Sequence, residues 1–470
     1  MRKAKIVATL GPKTADYPSI LRLVREGMDV ARLNFSHGDH EGHRRTLEHV
    51  RRAAAECGRT VAALADLCGP KIRLGELPEA GVPAPAGTEI VFTGRPRPGG
   101  AALAISHPNL ARELAVGQKL FVEDGLLEFV VIAIRGDDVV CRSVNGGTLR
   151  SRKGVNVAAG LLSLPALTDK DVLDLAFARD VLKVDYFALS FVRHADDVRA
   201  AKALAGDIPV IAKIEKPQAV APDRLEEIAD VADGFMVARG DLGVEMGAEK
   251  VPLAQKRIVR IAARHGKPAI VATQMLESMI RNPRPTRAEV SDVANAILDG
   301  ADAVMLSAET AAGDYPFEAV ATMRRIIEEV EENALPNDRQ KLEPPENFGV
   351  EYAAAHAAAR TAEAAVVPVV AVCSASGRSV ALVSAHRPPA RILGVAKTPE
   401  VARRMALLWG VEPILGLPLD DEASTLAALK VEIARRKMAE PGQLIAVAFG
   451  KDISQPAGST TMKLLPMTKD

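Results

Sequence analysis

The chain has 470 residues, of which 48% are hydrophobic and only 3% aromatic, so it has room for about two or three domains with aliphatic, alanine-rich cores. Sixty Lys and Arg residues balance sixty Asp and Glu residues, which argues against binding to nucleic acid or to a membrane surface. The four cysteines lack zinc-site spacing, and we find neither a signal peptide nor an apolar run of about 20 residues. We therefore expect a cytoplasmic protein with reduced thiols.

Eight short apolar runs, rich in β-branched residues, predict parallel strands that are covered on both faces. They span residues 4–10, 28–35, 60–67, 184–191, 209–215, 233–239, 268–274 and 302–307. Helical patterns lie between most of them, at 42–57, 195–205, 252–265 and 286–299, and the last begins with a capping box formed by Thr286 and Glu289. Eight strands with interleaved helices predict an α/β fold, a (β/α)₈ TIM barrel.

One connection in this barrel, between Asp66 and Thr168, is too long for a loop. It contains several turn signals and alternating stretches such as 126–134, which predict a small all-β domain inserted after the third strand. A polar, proline-bearing linker at 334–347 precedes a C-terminal α/β domain with predicted strands at 367–373 and 443–449. The predicted division is 1–69 and 155–335 for the barrel, 70–154 for the inserted β-barrel domain and 350–470 for the C-terminal domain.

Polar side chains cluster where the predicted barrel strands end, which is where barrels of this type carry their active sites. The set comprises Arg32, Asn34, Ser36 and His37 after strand 2, Asp66, Lys71 and Arg73 after strand 3, Lys213 and Glu215 on strand 5, Arg239 and Asp241 after strand 6, Thr273 and Gln274 after strand 7, and Ser307 and Glu309 after strand 8. Taken alone, a Lys–Glu pair is more often a structural ion pair than a site. Convergence at successive strand ends favours a site.

The chemistry of these groups suits phosphoryl transfer. Glu215 and Asp241 offer carboxylate oxygens to a hard divalent ion such as Mg²⁺. Arg32, Arg73 and Lys213 supply cations that could neutralise a phosphoryl group. Lys213 and Glu215 are two residues apart on a strand and therefore point to the same face.

Ten segments closely resemble the pyruvate kinase family, along almost the full length of the chain. They are KIVATLGPKT (5–14), ARLNFSHGDH (31–40), GPKIRLG (69–75), SRKGVNV (151–157), FALSFVR (187–193), IAKIEKP (211–217), MVARGDLGVE (236–245), ATQMLESM (272–279), TRAEVSDVANAILDGADAVMLSAETAAGDYP (286–316) and GSTTMK (458–463). The resemblance implies transfer of phosphate from phosphoenolpyruvate to ADP, giving pyruvate and ATP. The inserted domain would then be a lid that excludes water when it closes.

The resemblance also implies roles around the transferred phosphate. Glu215 and Asp241 align with Mg²⁺ ligands, and Mn²⁺ is expected to substitute for Mg²⁺. Lys213 aligns with the cation that stabilises the moving phosphoryl group, and Arg73 with the arginine that binds the substrate phosphate. Lys216 and Ala308 depart from the commonest family pattern, which has Asn and Gly there, but neither change removes a metal ligand or a phosphate cation.

Further implied roles concern the rest of the substrates. Thr273 aligns with part of the relay that protonates the enolate, and it contacts the substrate carboxylate together with the backbone of Gly240 and Asp241. Arg32, which also aligns with substrate-binding positions, resembles the arginine that binds the nucleotide phosphate. Asn34 and Lys153, the latter from the inserted domain, complete the implied nucleotide site.

Most members of the family bind K⁺ beside the substrate, and four residues align with that cation region, namely Asn34, Ser36, Asp66 and Leu67. A subset carries Lys in place of a Glu near this region, together with Leu in place of Thr, as Lys71 and Leu67 do here. A tethered ammonium can supply the charge of a bound ion, so we expect that K⁺ is not required. The alternative is that Lys71 is simply solvated after the Gly-Pro turn.

In the C-terminal domain, Ser374, Ser376, Gly377 and Arg378 follow a predicted strand and begin a helical pattern. Their amides and hydroxyls could form a phosphate nest, although a serine-rich helix start is usually only a cap. The resemblance implies a regulatory domain that binds a phosphorylated allosteric effector, with the loop 450–461 closing over it, and it implies a homotetramer.

Two other functions remain open at this point. One is a barrel lyase or aldolase that acts on phosphoenolpyruvate or pyruvate with Mg²⁺ but without nucleotide, and Lys153 with its lid argues against it. The other is a non-catalytic sensor of metabolites, and retention of the strand-end groups argues against that.

Overall fold

The structure is a computed structural model that describes residues 2–97, 99–123, 125–157, 164–333, 342, 348–419, 421–450 and 460–467. The first part of the barrel consists of β1 (Lys5–Leu10), α1 (Tyr17–Glu26), β2 (Val30–Asn34), α2 (His40–Glu56) and β3 (Ala62–Asp66). The inserted domain follows, with β4 (Val82–Ala84), β5 (Glu89–Thr93), β6 (Leu103–Ala104), α3 (Leu110–Glu113), β7 (Lys119–Val122), β8 (Leu127–Arg135), β9 (Asp138–Ser143), β10 (Gly147–Leu149) and β11 (Val155–Val157).

The second part of the barrel alternates strands and helices and ends in a long helix. Its elements are α4 (Asp169–Phe177), β12 (Tyr186–Leu189), α5 (Ala195–Ala205), β13 (Val210–Ile214), α6 (Pro222–Val231), β14 (Gly234–Ala238), α7 (Arg239–Met246), α8 (Val251–Arg264), β15 (Ala269–Ala272), α9 (Arg287–Leu298), β16 (Ala303–Leu306), α10 (Ala308–Ala311) and α11 (Pro316–Asn333). A π-helical turn at Ala178–Leu182 and 3₁₀ turns at Pro217–Val220, Ala248–Lys250 and Glu277–Ile280 connect some of them.

The eight barrel strands close into a parallel ring in the order β1-β2-β3-β12-β13-β14-β15-β16, with β16 pairing back onto β1. All eight predicted strands are confirmed, with ends within two residues of those predicted, and so are the four predicted helices. The capping box of Thr286 and Glu289 is present. Near-continuous apolar runs located the strands well because the strands of this ring are buried on both faces.

The inserted domain is built mainly from antiparallel pairs, as the alternating sequence predicted, and only the short β6 pairs in parallel, with β5, among the described residues. Six strands form one sheet in the order β11-β7-β8-β9-β5-β6, and β4 pairs with β10. This sheet extends beyond the boundary predicted at residue 154, because Val155–Val157 pairs with β7 before the chain returns to the barrel. The inserted domain has its own core, which includes Phe92 and Phe129.

The C-terminal domain contains α12 (Val350–Ala364), β17 (Val369–Ser374), α13 (Arg378–Ala385), β18 (Arg391–Ala396), α14 (Pro399–Met405), β19 (Val411–Leu415), α15 (Glu422–Arg435), β20 (Leu444–Phe449) and β21 (Thr461–Pro466). Its sheet has the order β19-β18-β17-β20-β21, and β21 is antiparallel to β20. The two strands predicted here are β17 and β20. The linker predicted at 334–347 lies outside the described residues apart from Leu342.

The C-terminal domain closes the base of the barrel, at the end opposite the strand carboxyl termini. Ala406 and Leu407 are buried among side chains of the barrel interior such as Met236 and Met305. Arg403 Nε donates to Asp185 Oδ1 at 2.7 Å, beside the apolar contact. Of the helices that the structure describes, none has the length and apolar character that a membrane crossing requires.

Candidate active site

A buried carboxylate, Asp66, lies at the centre of the polar cluster at the carboxyl ends of the barrel strands. Arg32 Nε donates to its Oδ2 at 2.7 Å, and Lys213 Nζ donates to its Oδ1 at 3.0 Å. The parallel register explains this meeting, because Asn34 at the end of β2 pairs with Asp66 at the end of β3. Arg32 also donates from Nη1 to the Thr9 hydroxyl at 2.8 Å. The structure therefore brings three of the predicted residues into direct contact.

Opposite charges favour the ionised forms of Asp66 and Lys213 despite their burial. Burial would raise the pKa of the Asp66 carboxyl, but the charges of Lys213 and Arg32 outweigh it and hold that pKa below its usual value. Burial would likewise lower the pKa of the Lys213 ammonium, but Asp66 and Glu215 raise it. Lys213 is thus a permanent positive charge in a site sheltered from water.

Lys213 has two further contacts that fix its position. Its Nζ lies 3.0 Å from Glu215 Oε1 and donates to the Ser190 hydroxyl at 2.7 Å. Ser190 in turn donates to the carbonyl of Leu67 at 2.7 Å. The sequence analysis did not identify Ser190, although it follows β12 as the other site residues follow their strands. Its position at a strand end was the signal that could have found it.

The two carboxylates predicted to bind a metal lie close enough to influence each other. Glu215 is buried, its Oε2 accepts from the Phe191 amide at 2.7 Å, and burial raises the pKa of its carboxyl. Lys213 opposes this rise in the pKa and the charge of Asp241 adds to it. The described residues contain no group of three or more His, Cys, Asp or Glu side chains arranged as a metal site. Two hard oxygen donors still suit Mg²⁺, which takes few protein ligands.

Thr273 is held in a left-handed backbone conformation, with φ of +70°, and Gln274 follows with +55°. The guanidinium of Arg239 secures this turn, donating to the carbonyl of Ala272 at 3.2 Å and to that of Thr273 at 2.6 Å. Arg239 is itself paired with Asp292 at 2.6 Å. Such strained backbone persists where surrounding contacts over-determine it, and it is common at functional sites.

The Thr273 hydroxyl faces the first turn of α7. It accepts from the amide of Gly240 at 2.8 Å and donates to the carbonyl of Ala272 at 2.6 Å. Asp241 is the next residue of that turn. The structure therefore brings together Thr273, Gly240 and Asp241, the three residues predicted to contact the substrate carboxylate.

Two predicted phosphate-binding cations belong to the inserted domain and bond to other residues of that domain. Arg73 Nη1 donates to the carbonyl of Arg152 at 3.1 Å, and Lys153 Nζ pairs with Glu123 Oε1 at 2.6 Å. Among the described residues, neither forms a hydrogen bond or an ion pair with Lys213, Asp66 or Glu215.

The region aligned with a monovalent-cation site is occupied by internal contacts. Asn34 Oδ1 accepts from the amide of Ser36 at 3.1 Å, and the Leu67 carbonyl is engaged by Ser190. Lys71 Nζ lies 4.0 Å from Asp241 Oδ1. Lys71 also lines a cleft of roughly 510 Å³, including its open mouth, between the inserted domain and the barrel.

In the C-terminal domain, the predicted phosphate nest is satisfied by its own side chains. Ser374 Oγ accepts from the amide of Gly377 at 3.0 Å, and Ser376 Oγ accepts from that of Arg378 at 3.4 Å. Gly377 has φ of +88°, and Arg378 pairs with Glu351 at 3.4 Å. These contacts are those of a helix start. Most of the loop 450–461 lies outside the described residues.

Comparisons with known proteins agree with this architecture. The family profile described as "Pyruvate kinase, barrel domain" matches residues 1–320, and "Pyruvate kinase, alpha/beta domain" matches 352–465. A pyruvate kinase of Mycobacterium intracellulare is 44% identical, over 96% of this chain and 95% of the relative. One of Corynebacterium efficiens is also 44% identical, over 89% and 88%. A crystal structure of a pyruvate kinase from Cryptosporidium parvum has a TM-score of 0.91 at 34% identity, covering 99% and 96%.

The buried position of Asp66 leads to a prediction about stability. Asp66→Asn should lower the free energy of unfolding by about 3–5 kcal/mol, because it leaves the buried charge of Arg32 without its anion and leaves Lys213 with Glu215 alone. Urea unfolding followed by circular dichroism measures the change. Asp314→Asn is the matched control, since Asp314 also contacts two cations, Lys13 and Arg281, but at the surface, and its loss should not be measurable. Equal effects of the two substitutions would contradict the assignment.

Proposed function

The chain belongs to the pyruvate kinase family, and we propose that its barrel transfers the phosphoryl group of phosphoenolpyruvate to ADP with Mg²⁺ held by Glu215 and Asp241 and without a need for K⁺. The observation that carries this proposal is the chain of contacts from Arg32 through Asp66 to Lys213 and Glu215. It gives a fixed positive charge beside two carboxylates at the carboxyl ends of the strands. Phosphoryl transfer depends mainly on such positioning and on charge stabilisation.

Lys213 is assigned to stabilising the phosphoryl group while it is being transferred. Its ammonium is charged and fixed by three contacts, so it needs little reorganisation when negative charge moves between the donor and acceptor oxygens. Mg²⁺, when bound, would supply divalent charge to the same oxygens, and Mn²⁺ is proposed to substitute for it. Arg73 is assigned to the phosphate of phosphoenolpyruvate, and Arg32, Asn34 and Lys153 to the nucleotide side.

Thr273 is assigned to the opposite end of the substrate. When the phosphoryl group leaves phosphoenolpyruvate, the resulting enolate takes a proton at its methylene carbon to become pyruvate. The Thr273 hydroxyl already accepts one hydrogen bond and donates another, which is what a member of a proton relay requires. The amides of Gly240 and Asp241 begin a helix, a position that suits the substrate carboxylate.

Further parts of the proposal rest on the family relationship. We propose that the inserted domain, residues 70–154 with the adjoining β11, acts as a lid, and that residues 350–470 are regulatory. Lys153 and Arg73 would reach the substrates as the lid closes. We also propose a homotetramer in the cytoplasm.

Assays of the purified protein test the reaction. With phosphoenolpyruvate, ADP and Mg²⁺, pyruvate and ATP should form in equal amounts, and Lys213→Met should lower kcat about 10³-fold or more while KM changes far less. Glu215→Gln should raise the Mg²⁺ concentration needed for half-maximal rate. Lys256→Met, which removes an exposed lysine from α8, is the control and should match the parent.

Pyruvate formed without ATP would indicate a lyase or a phosphatase, and no turnover of any kind would indicate a sensor. A Lys213→Met variant with a raised KM and unchanged kcat would limit Lys213 to substrate binding.

The position of Lys71 supports independence from K⁺. Its ammonium lies 4.0 Å from Asp241 Oδ1, at the edge of the polar cluster. A charge near a phosphate in a partly dry site is worth several kcal/mol at an effective dielectric constant of about 20. We expect full activity in buffers free of K⁺ and NH₄⁺, and reduced activity in Lys71→Glu that added K⁺ partly restores. KCl titrations at constant ionic strength, held with a tetraalkylammonium salt, measure both. A parent that K⁺ stimulates tenfold or more would disprove the proposal.

The C-terminal nest is proposed to bind a phosphorylated effector. Its support is the amide-rich start of α13 together with the exposed Arg378. The double substitution Ser376→Glu and Arg378→Glu should abolish the response to any phosphorylated activator and leave the basal rate unchanged, because the nest lies outside the barrel. A screen of sugar phosphates and AMP against the phosphoenolpyruvate saturation curve measures the response. If none of them shifts the parent's curve, the loop is only a helix cap.

A further inference from the structure

A second buried carboxylate, Glu245, lies outside the group of residues assigned above. It is on the last turn of α7, and its side chain is fully buried. Its Oε1 forms an ion pair with Lys216 Nζ and also accepts from Asn156 Nδ2 at 3.3 Å. It lies four residues beyond Asp241, on the same face of α7, but neither of the two residues that it bonds is assigned to substrate or metal binding. It contacts instead two groups from other parts of the chain.

Glu245, Lys216 and Asn156 come from three different segments, and each segment is next to or part of the proposed site. Glu245 belongs to α7, whose first turn carries Gly240 and Asp241. Lys216 follows Glu215 directly at the end of β13. Asn156 lies in β11, the strand through which the inserted domain returns to the barrel. One carboxylate oxygen therefore connects both predicted metal-ligand segments and the proposed lid.

Lys216 also contacts Phe191, the residue whose amide donates to Glu215. Its Nζ lies 5.2 Å from the centre of the Phe191 ring, within the range of a cation–π contact. The backbone amide of Phe191 donates to Glu215 Oε2, and Phe191 has a left-handed φ of +56°. Displacing Lys216 would therefore loosen the residue that orients Glu215. The same lysine lines the cleft between the inserted domain and the barrel.

Two further oxygens of this cluster, Glu245 Oε2 and Asn156 Oδ1, are buried, and neither has a hydrogen-bond partner among the described residues. A small shift of β11 against α7 would change the environment of both oxygens.

A buried ion pair is also a poor device for stability alone. Removing two charges from water costs about as much as their attraction returns, and apolar side chains of similar size would often hold the same elements together better. What an ion pair supplies in return is a defined geometry between its partners. That property is useful where two segments must present carboxylates at a fixed separation.

We propose that Glu245, with Lys216 and Asn156, is a positioning cluster that aligns the Asp241 and Glu215 segments and couples their alignment to the seating of the lid. The inference rests on the proposed function, because it gives Glu215 and Asp241 their role. The two partners of Glu245 fix α7 against different elements. Lys216 fixes α7 against the end of β13, and Asn156 fixes α7 against β11.

Four substitutions test the cluster by separating the Glu245–Lys216 contact from the Glu245–Asn156 contact. Lys216→Met and Glu245→Gln should each lower kcat at least tenfold and raise the Mg²⁺ concentration for half-maximal rate. Their combination should cost less than the sum of the two single effects, because both substitutions remove the Lys216–Glu245 ion pair. Asn156→Ala should leave the Mg²⁺ dependence within about twofold of the parent and raise KM for ADP. Lys216→Arg, which keeps the charge, should recover part of the rate lost in Lys216→Met.

A matched control comes from an ion pair between two outer helices of the barrel. Glu226→Gln, on α6, removes the carboxylate that contacts Arg264 of α8 and the adjacent His265, and should behave as the parent in every assay. Hydrogen exchange at the amides of Val155–Val157 provides a readout that needs no turnover. Exchange should be faster in Glu245→Gln and Asn156→Ala than in Glu226→Gln.

The outcomes separate the two levels of the proposal. An inactive parent would overturn the proposed function, and the exchange rates would still decide whether Glu245 holds β11. An active parent with folded Lys216→Met, Glu245→Gln and Asn156→Ala variants that all match Glu226→Gln would overturn the positioning cluster. If Lys216→Met fails to fold, Glu245→Gln and Asn156→Ala decide the question by the same measurements.

Discussion

The site depends on one buried carboxylate placed between two cations. Asp66 accepts from Arg32 and Lys213, and without it only Glu215 would offset these two buried positive charges. Repulsion between unit charges at such distances is strong when the surroundings screen it weakly. Asp66 therefore lets the barrel concentrate positive charge where an anionic substrate would sit. The register of the barrel brings the strand ends together, and Asp66 lets the cations of β2 and β13 share the space between them.

Much of this arrangement could be predicted from the sequence because two rules operate strongly in a parallel barrel. Strands buried on both faces are nearly continuous apolar runs, so all eight could be located within two residues. Parallel strands end at the same rim, so polar residues after them must lie near one another, and Arg32, Asp66 and Lys213 do. Neither rule required knowledge of the three-dimensional contacts.

Contacts that depend on side-chain direction or on distant pairs could not be predicted in this way. The sequence analysis noted Arg239 only as a cation at a strand end. Its hydrogen bond to the Thr273 carbonyl depends on a left-handed turn at Thr273 and Gln274, and neither Thr nor Gln is a residue type that predicts such a turn. The contact of Asn156 with Glu245 joins residues 89 apart in sequence, across a domain boundary. Arg73 and Lys153 likewise were assigned to the site, but the contacts described for them are with other residues of the inserted domain.

The two ends of the barrel are built on different principles, and this difference has a functional consequence. At the base, Leu407 is buried among apolar side chains, so movement of the C-terminal domain there would expose apolar surface. At the rim, Lys213 pairs with Asp66 and Glu215, while Lys71 lies near Asp241. An anionic substrate entering between them competes with these carboxylates for the same ammonium groups, which are already charged and already near their places. In the proposed reaction, an incoming phosphate would replace carboxylates as the partner of these ammonium groups, while apolar contacts and ion pairs such as Arg403–Asp185 keep the base in place.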